Sequence, residues 1–99
     1  MKANFNKLIG SHPLVLVDFY ADWCGPCKTL APILKDVAQD VGEKAKIVKI
    51  DVDKHQSLAG KFQVRGVPTL MLFKNGEMIW RESGVQPKEQ LVQLINQNS

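Results

Sequence analysis

The sequence predicts an α/β fold, a small mixed sheet of four strands with helices on both faces, and three observations carry the prediction. Apolar runs of strand length alternate with stretches of helical period along the whole chain. The first run, Leu14 to Tyr20, is apolar at nearly every position, as in a strand covered on both faces. Near the other end, Asn75-Gly76 separates two apolar runs, and an Asn-Gly pair there marks a hairpin because both turn residues must take positive φ.

Taken in order, Phe5, Leu8 and Ile9 share the i, i+3, i+4 spacing of one short helix that ends before His12-Pro13. Leu14-Val15-Leu16-Val17-Asp18-Phe19-Tyr20 is the first strand. From Cys24 the period changes, with Leu30, Ile33, Leu34, Val37, Ala38 and Val41 on one buried stripe, until Gly42 stops the helix. Pro32 lies inside it and is expected to kink it by removing one backbone bond. Ala45 to Ile50 is the second strand, and a strand-helix-strand unit predicts that it runs parallel to the first. A short helix follows over Gln56 to Phe62. Thr69 to Phe73 and Met78 to Trp80 form the antiparallel hairpin pair across Lys74-Asn75-Gly76-Glu77. Pro87 opens the last helix, in which Leu91, Leu94 and Ile95 face inward while Lys88, Glu89, Gln90, Gln93 and Gln97 face water.

With 99 residues, 44% of them hydrophobic, the chain suits one domain over residues 1–99 and one core. The longest strictly apolar run of the first strand, Leu14 to Val17, stops at Asp18, far short of the roughly 18 residues that cross a bilayer. The expectation is a protein with no membrane association. The beginning of the sequence shows no apolar segment followed by a small-residue cleavage site, so the expected compartment is the cytoplasm. A formal charge of +3 raises nucleic acid as a partner, but Lys and Arg are spread from Lys2 to Lys88 among the acidic residues and never run four together. Such a diffuse pattern is a solvated surface, and no nucleic-acid partner is expected.

The only two cysteines are Cys24 and Cys27, with Gly25 and Pro26 between them. A structural zinc takes four ligands, and the second half of such a site is absent, since His12 and His55 lack the spacing. No metal is expected, and each histidine reads as a surface residue. A disulfide closing so short a loop constrains the unfolded chain little, so a staple is a poor account as well. Redox chemistry remains. The pair stands where a strand passes into a helix, and the unpaired N–H groups and dipole of a helix start favour a thiolate on Cys24. Positions i and i+3 bring the two side chains within reach of a disulfide. Pro26 suits the first turn, where its missing N–H costs nothing.

Ala21-Asp22-Trp23-Cys24-Gly25-Pro26-Cys27-Lys28, with Asp18 before it and Gly66-Val67-Pro68-Thr69 after it, strongly resembles the thioredoxin family. The likeness runs from the first strand to the final helix. It implies the thioredoxin fold and a protein-disulfide reductase whose redox-active centre is the Cys24–Cys27 pair, with no other cofactor. Cys24 is then the nucleophile that forms a mixed disulfide with a substrate, and Cys27 the thiol that resolves it. Asp18 interrupts an apolar strand, and if buried its pKa rises and it can accept the Cys27 proton. Periodicity alone serves a strand-end aspartate turned to solvent equally well, and the resemblance supplies the preference. Lys49 matches the lysine paired with that aspartate, against the alternative of an exposed strand lysine. Pro68 by base rate is trans; the resemblance makes it cis and sets it against the disulfide, with Val67 offering backbone groups to an extended substrate. Trp23, Gly66 and Gly84, with Gly25 and Pro26, match the rim around an exposed sulfur, although Trp23 read by itself also suits a core anchor.

The chain departs from that pattern in three places. Members usually begin with a strand and a helix, whereas residues 1–11 hold only the helix. The strand at Ala45 to Ile50 is therefore expected to be an uncovered edge, guarded by Lys46 and Lys49, in a monomer or in a dimer joined there. Tyr20 stands where many members have tryptophan, and Trp80 where relatives often have a smaller residue. The implied partners are disulfide-containing proteins and a thioredoxin reductase or other dithiol donor that returns the two electrons. Two other readings use the same residues: an oxidase- or isomerase-poised relative, against which Gly25-Pro26 argues, and a non-catalytic interaction subunit of the same fold. A potential difference of about 30 mV is only about 1.4 kcal/mol, so residues outside the motif influence the choice.

Overall fold

The computed structural model describes residues 2–99, with side chains from Asn4 onward. Helix α1 (Lys2–Ile9) leads into strand β1 (Leu14–Tyr20), helix α2 (Gly25–Val41), strand β2 (Lys46–Asp51), helix α3 (Gln56–Lys61), the hairpin β3 (Thr69–Lys74) and β4 (Glu77–Ser83), and helix α4 (Lys88–Asn98). The strands form one mixed sheet in the order β2-β1-β3-β4. β2 runs parallel to β1, with Leu16 opposite Ile47 and Asp18 opposite Lys49, while β3 is antiparallel to both β1 and β4. This is the predicted architecture, and β2 is an edge strand as expected.

Alternation along β1 and β3 divides the core into two layers. Leu14, Leu16, Leu70 and Leu72 face α2 and α4 and pack with Leu30, Leu34, Val37, Val41, Leu91 and Ile95. Val15, Val17, Phe19, Met71 and Phe73 face the other way, onto Phe5 and Ile9 of α1 and Leu58 of α3. Phe5, Phe19, Phe62 and Phe73 meet there with ring centroids 5.3 to 6.5 Å apart, so one cluster gathers all four phenylalanines of the chain. Central strands covered on both faces explain why β1 and β3 read as continuous apolar runs.

The turns follow their residue types. Asn75 and Gly76 have φ of 51° and 85°, the pair of positive values that the hairpin requires. Gly42 ends α2 at φ 56°, and its N–H donates to the Ala38 carbonyl. α2 runs on through Pro32, which is exposed and leaves only the Lys28 carbonyl without its helical donor.

The structure departs from the sequence reading in several details. Ala38, placed on the buried stripe, is exposed, and Ile33 is half-buried. The apolar stripe of α2 is narrower than its periodicity because β2, an edge strand, covers only part of it. Pro87 is the cap before α4 rather than its first turn, with extended ψ of 145°. His12 is not a free surface residue: its Nδ1 accepts the Leu14 N–H at 3.0 Å, and its Nε2 lies 2.7 Å from the Glu43 carbonyl, to which it donates. It clamps the entry of β1 to the turn before β2. Trp80 packs against the α2–α4 layer. Among the described residues no helix is long and apolar enough to cross a membrane.

Truncating the fully buried Leu72 to alanine is expected to cost about 3 kcal/mol in urea unfolding, while Ile79→Ala, on the outer strand at 43% exposure, stays within about 0.5 kcal/mol.

Candidate active site

The end of β1 and the start of α2 meet over a four-residue turn, Ala21 to Cys24, closed by the Cys24 N–H donating to the Ala21 carbonyl at 3.2 Å. Cys24 is the cap of α2, with extended backbone (φ −90°, ψ 113°), so its side chain folds over the first turn. Its Sγ accepts the Cys27 N–H at 3.1 Å. The two residues are joined as a disulfide with Cα atoms 5.3 Å apart. Pro26 stands in the first turn, where no donor is lost.

Around the pair lies an apolar collar of Ala21, Tyr20, Val52 and Val67. The Val67–Pro68 peptide bond is cis, and the Val67 carbonyl oxygen lies 3.5 Å from Cys24 Sγ. Gly84, at φ 88°, donates its N–H to the Pro68 carbonyl at 2.8 Å, and Thr69 Oγ1 donates to the Gly66 carbonyl at 2.6 Å. These bonds fix the 66–68 segment beside the sulfurs. Trp23 is 70% exposed, which rules out a core anchor, and its indole N–H donates to Asp53 Oδ2 at 2.8 Å. A groove of about 100 Å³ opens next to it between Trp23, Val52, Val64, Arg65, Gly66 and Val67. Gly25 and Pro26 are exposed on the same rim.

Two expectations need correction here. Cys24 is 3% exposed and Cys27 5%, so whole-residue exposure does not separate an open sulfur from a sheltered one; the Val67 collar covers Cys24 as fully as the helix covers Cys27. Lys49 does stand opposite Asp18 across β1 and β2, yet it makes no ion pair with it. Its ammonium sits 4.5 Å above the centroid of the Tyr20 ring instead.

Asp18 is fully buried, and neither carboxyl oxygen has a hydrogen-bond partner among the described residues. Burial therefore dominates and raises its pKa from 3.8 to about 6, with the positive field of Lys49 acting in the opposite direction. The strand's alternation puts it on the α2 side of the sheet, the side on which Cys27 faces inward.

Asp53 escaped the sequence reading, although a signal for it was present. Asp51-Val52-Asp53 forms a turn in which Asp51 Oδ1 accepts the Asp53 N–H at 2.9 Å, and Asp two residues before another polar residue at a strand end is the mark of such a turn. What the spacing could not reveal is that this turn reaches Trp23, 30 residues earlier.

Comparison with known proteins agrees with this geometry. The family model described as Thioredoxin matches residues 1–97. The thioredoxin of Bacillus subtilis (strain 168) is 50% identical over 88 residues, which cover 89% of this chain and 85% of the relative. That of Staphylococcus saprophyticus is 51% identical over 96 residues, covering 97% of this chain and 91% of the relative. Among solved structures, a mutant thioredoxin from Halobacterium salinarum NRC-1 superimposes with a TM-score of 0.88 at 42% identity, covering 97% of this chain and 83% of the other.

Asp18 should also make stability depend on pH. The native carboxyl keeps its proton up to about pH 6 and the unfolded one loses it near 3.8, so between these values the native state binds more protons and stability falls as pH rises. Asp18→Asn, which carries no charge to desolvate, is expected to stabilise the protein at pH 7 by on the order of 2–3 kcal/mol. The gain should vanish below about pH 4, as read from urea midpoints at pH 7 and pH 3.5.

Proposed function

The chain belongs to the thioredoxin family, and from that membership we propose how its residues act. Thioredoxins are thiol-disulfide oxidoreductases, and with its Cys24–Cys27 pair this chain is one. In the reading we put forward, the reduced protein holds Cys24 as a thiolate. The observation that carries it is the Cys27 N–H aimed at Cys24 Sγ at the start of α2, a donor and a helix end that both favour negative charge on that sulfur.

The thiolate attacks one sulfur of a substrate disulfide. That bond breaks, a Cys24–substrate disulfide forms, and the other substrate sulfur leaves as a thiolate and takes a proton from solvent. Cys27 then gives its proton to Asp18, whose carboxylate, short of hydrogen bonds and raised toward neutrality, suits a base. The Cys27 thiolate attacks Cys24 Sγ, the internal disulfide forms, and the second substrate sulfur departs. Two electrons have moved to the substrate. Lys49 contributes the positive field that keeps the shift of Asp18 from going further.

Trp23, Gly25, Pro26, Gly66, Val67, Pro68 and Gly84 form the docking rim in this reading. The Val67 backbone beside Cys24 offers an extended substrate segment a hydrogen-bonding partner, and the groove by Trp23 takes an apolar side chain. The oxidised protein is returned to the dithiol by a thioredoxin reductase or another dithiol donor. The cytoplasm, where thiols are kept reduced, suits a pair poised as a donor.

Insulin turbidity in the presence of dithiothreitol tests the scheme. The native protein should accelerate precipitation strongly, and Cys24→Ser should return it to the uncatalysed rate. Cys27→Ser, offered oxidised insulin, should accumulate a covalent adduct that dithiothreitol releases; an adduct-free result would refute the two-step route.

A further inference from the structure

An open pocket of about 120 Å³ lies between β1, β2, α2 and the turn that joins β1 to α2, with Tyr20, Asp22, Cys27, Lys28, Ala31 and Lys49 among its walls. It has room for several waters, since one needs only about 10–15 Å³ of such space. Tyr20 and Lys49 line it, while Asp18, buried on the same face of the sheet, does not. Asp18 and Tyr20 are two apart on β1, and Lys49 stands opposite Asp18 on β2. An ammonium there has two partners to choose from, the buried carboxylate and the aromatic face, and it lies 4.5 Å over the ring.

We propose that Tyr20 is a positioning residue for the dithiol chemistry: its ring holds the Lys49 ammonium at the pocket beside Cys27 and so keeps it from closing on Asp18. The proposal rests on Asp18 being the base for Cys27 and adds what sets that base. A lysine closed on Asp18 would form an ion pair within about 4–6 Å, lower the carboxyl pKa by about one unit or more, and leave too weak a base near neutrality. Held on the ring, the same charge acts on Asp18 only through its field, and the carboxylate keeps the basicity that the Cys27 proton requires. The other charged groups about Lys49 and the pocket are Asp22 and Lys28 at its rim, Lys35 on α2, and Asp51 opposite Tyr20; β3 offers Asp18 only Leu70 across the strand pair. None of the described groups hydrogen-bonds Asp18.

The test is titration of the Asp18 side-chain carboxyl by carbon-13 NMR in the oxidised protein, where the cysteines do not titrate. Tyr20→Phe keeps the ring face and should leave the midpoint unchanged. Tyr20→Leu removes it and should move the midpoint down by about one pH unit or more. In a Lys49→Met background, Tyr20→Leu should no longer move it downward. A midpoint unaffected by Tyr20→Leu, or moved as far by Tyr20→Phe, overturns the proposal, as does a downward shift that persists in Lys49→Met. Should Tyr20→Leu fail to fold, the native protein still decides: the Lys49 ε-methylene protons must show an upfield ring-current shift that Lys49 resonances lose on denaturation, and random-coil positions refute the parking. Failure of the reductase reading would appear separately, as insulin reduction that survives Cys24→Ser.

Discussion

A sulfur caps the longest helix of this protein, and the arrangement depends on the short turn that joins β1 to α2. Cys24 must leave β1 in an extended conformation so that its side chain can fold back over the first turn and receive the Cys27 N–H. The same fold-back puts Cys27 on the inner face of α2 and the pair within disulfide reach. Without the cap, the two cysteines would be ordinary helix neighbours with nothing to favour charge on one of them. Pro26 and Gly25 fit because neither asks anything of the first turn that it cannot supply.

The sheet supplies the rest from far along the chain. β3 begins just after the 66–68 segment, so the strand that crosses beside β1 also delivers the Val67 carbonyl to Cys24. β2, on the other side, ends at Asp51, whose turn presents Asp53 to the exposed Trp23 ring. Both central strands are sealed between two apolar layers, and that sealing is what isolates Asp18. A buried carboxyl without hydrogen bonds is a destabilising element that the core tolerates, and it is the group that the proposed scheme uses as the base for Cys27.

Much of this was legible beforehand because the fold rests on strong local signals. β1 begins and ends where its apolar run does, α2 stops at Gly42, and Asn75-Gly76 turns the hairpin with the φ values its residues prefer. Less legible were contacts that depend on which element covers which. Ala38 fits the helical period yet faces water, since the neighbouring edge strand does not extend over it. His12 reads as a surface residue, but the chain entering β1 passes close enough to Glu43 for the ring to bridge them.

The amino-acid sequence determined the element order, the mixed sheet, the helix-capping dithiol and, through the Cys-Gly-Pro-Cys motif with its flanking residues, the family. Those features follow from spacing along the chain, because periodicity, turn propensity and helix caps act over a few residues. Tertiary structure decided the electrostatics: that Asp18 is fully buried, that Lys49 rests on Tyr20 rather than on the carboxyl opposite it, and that Trp23 points outward to Asp53. A long lysine can reach several partners from one backbone position, and only the packing of β1, β2 and α2 fixes how much water and which aromatic face each charge meets.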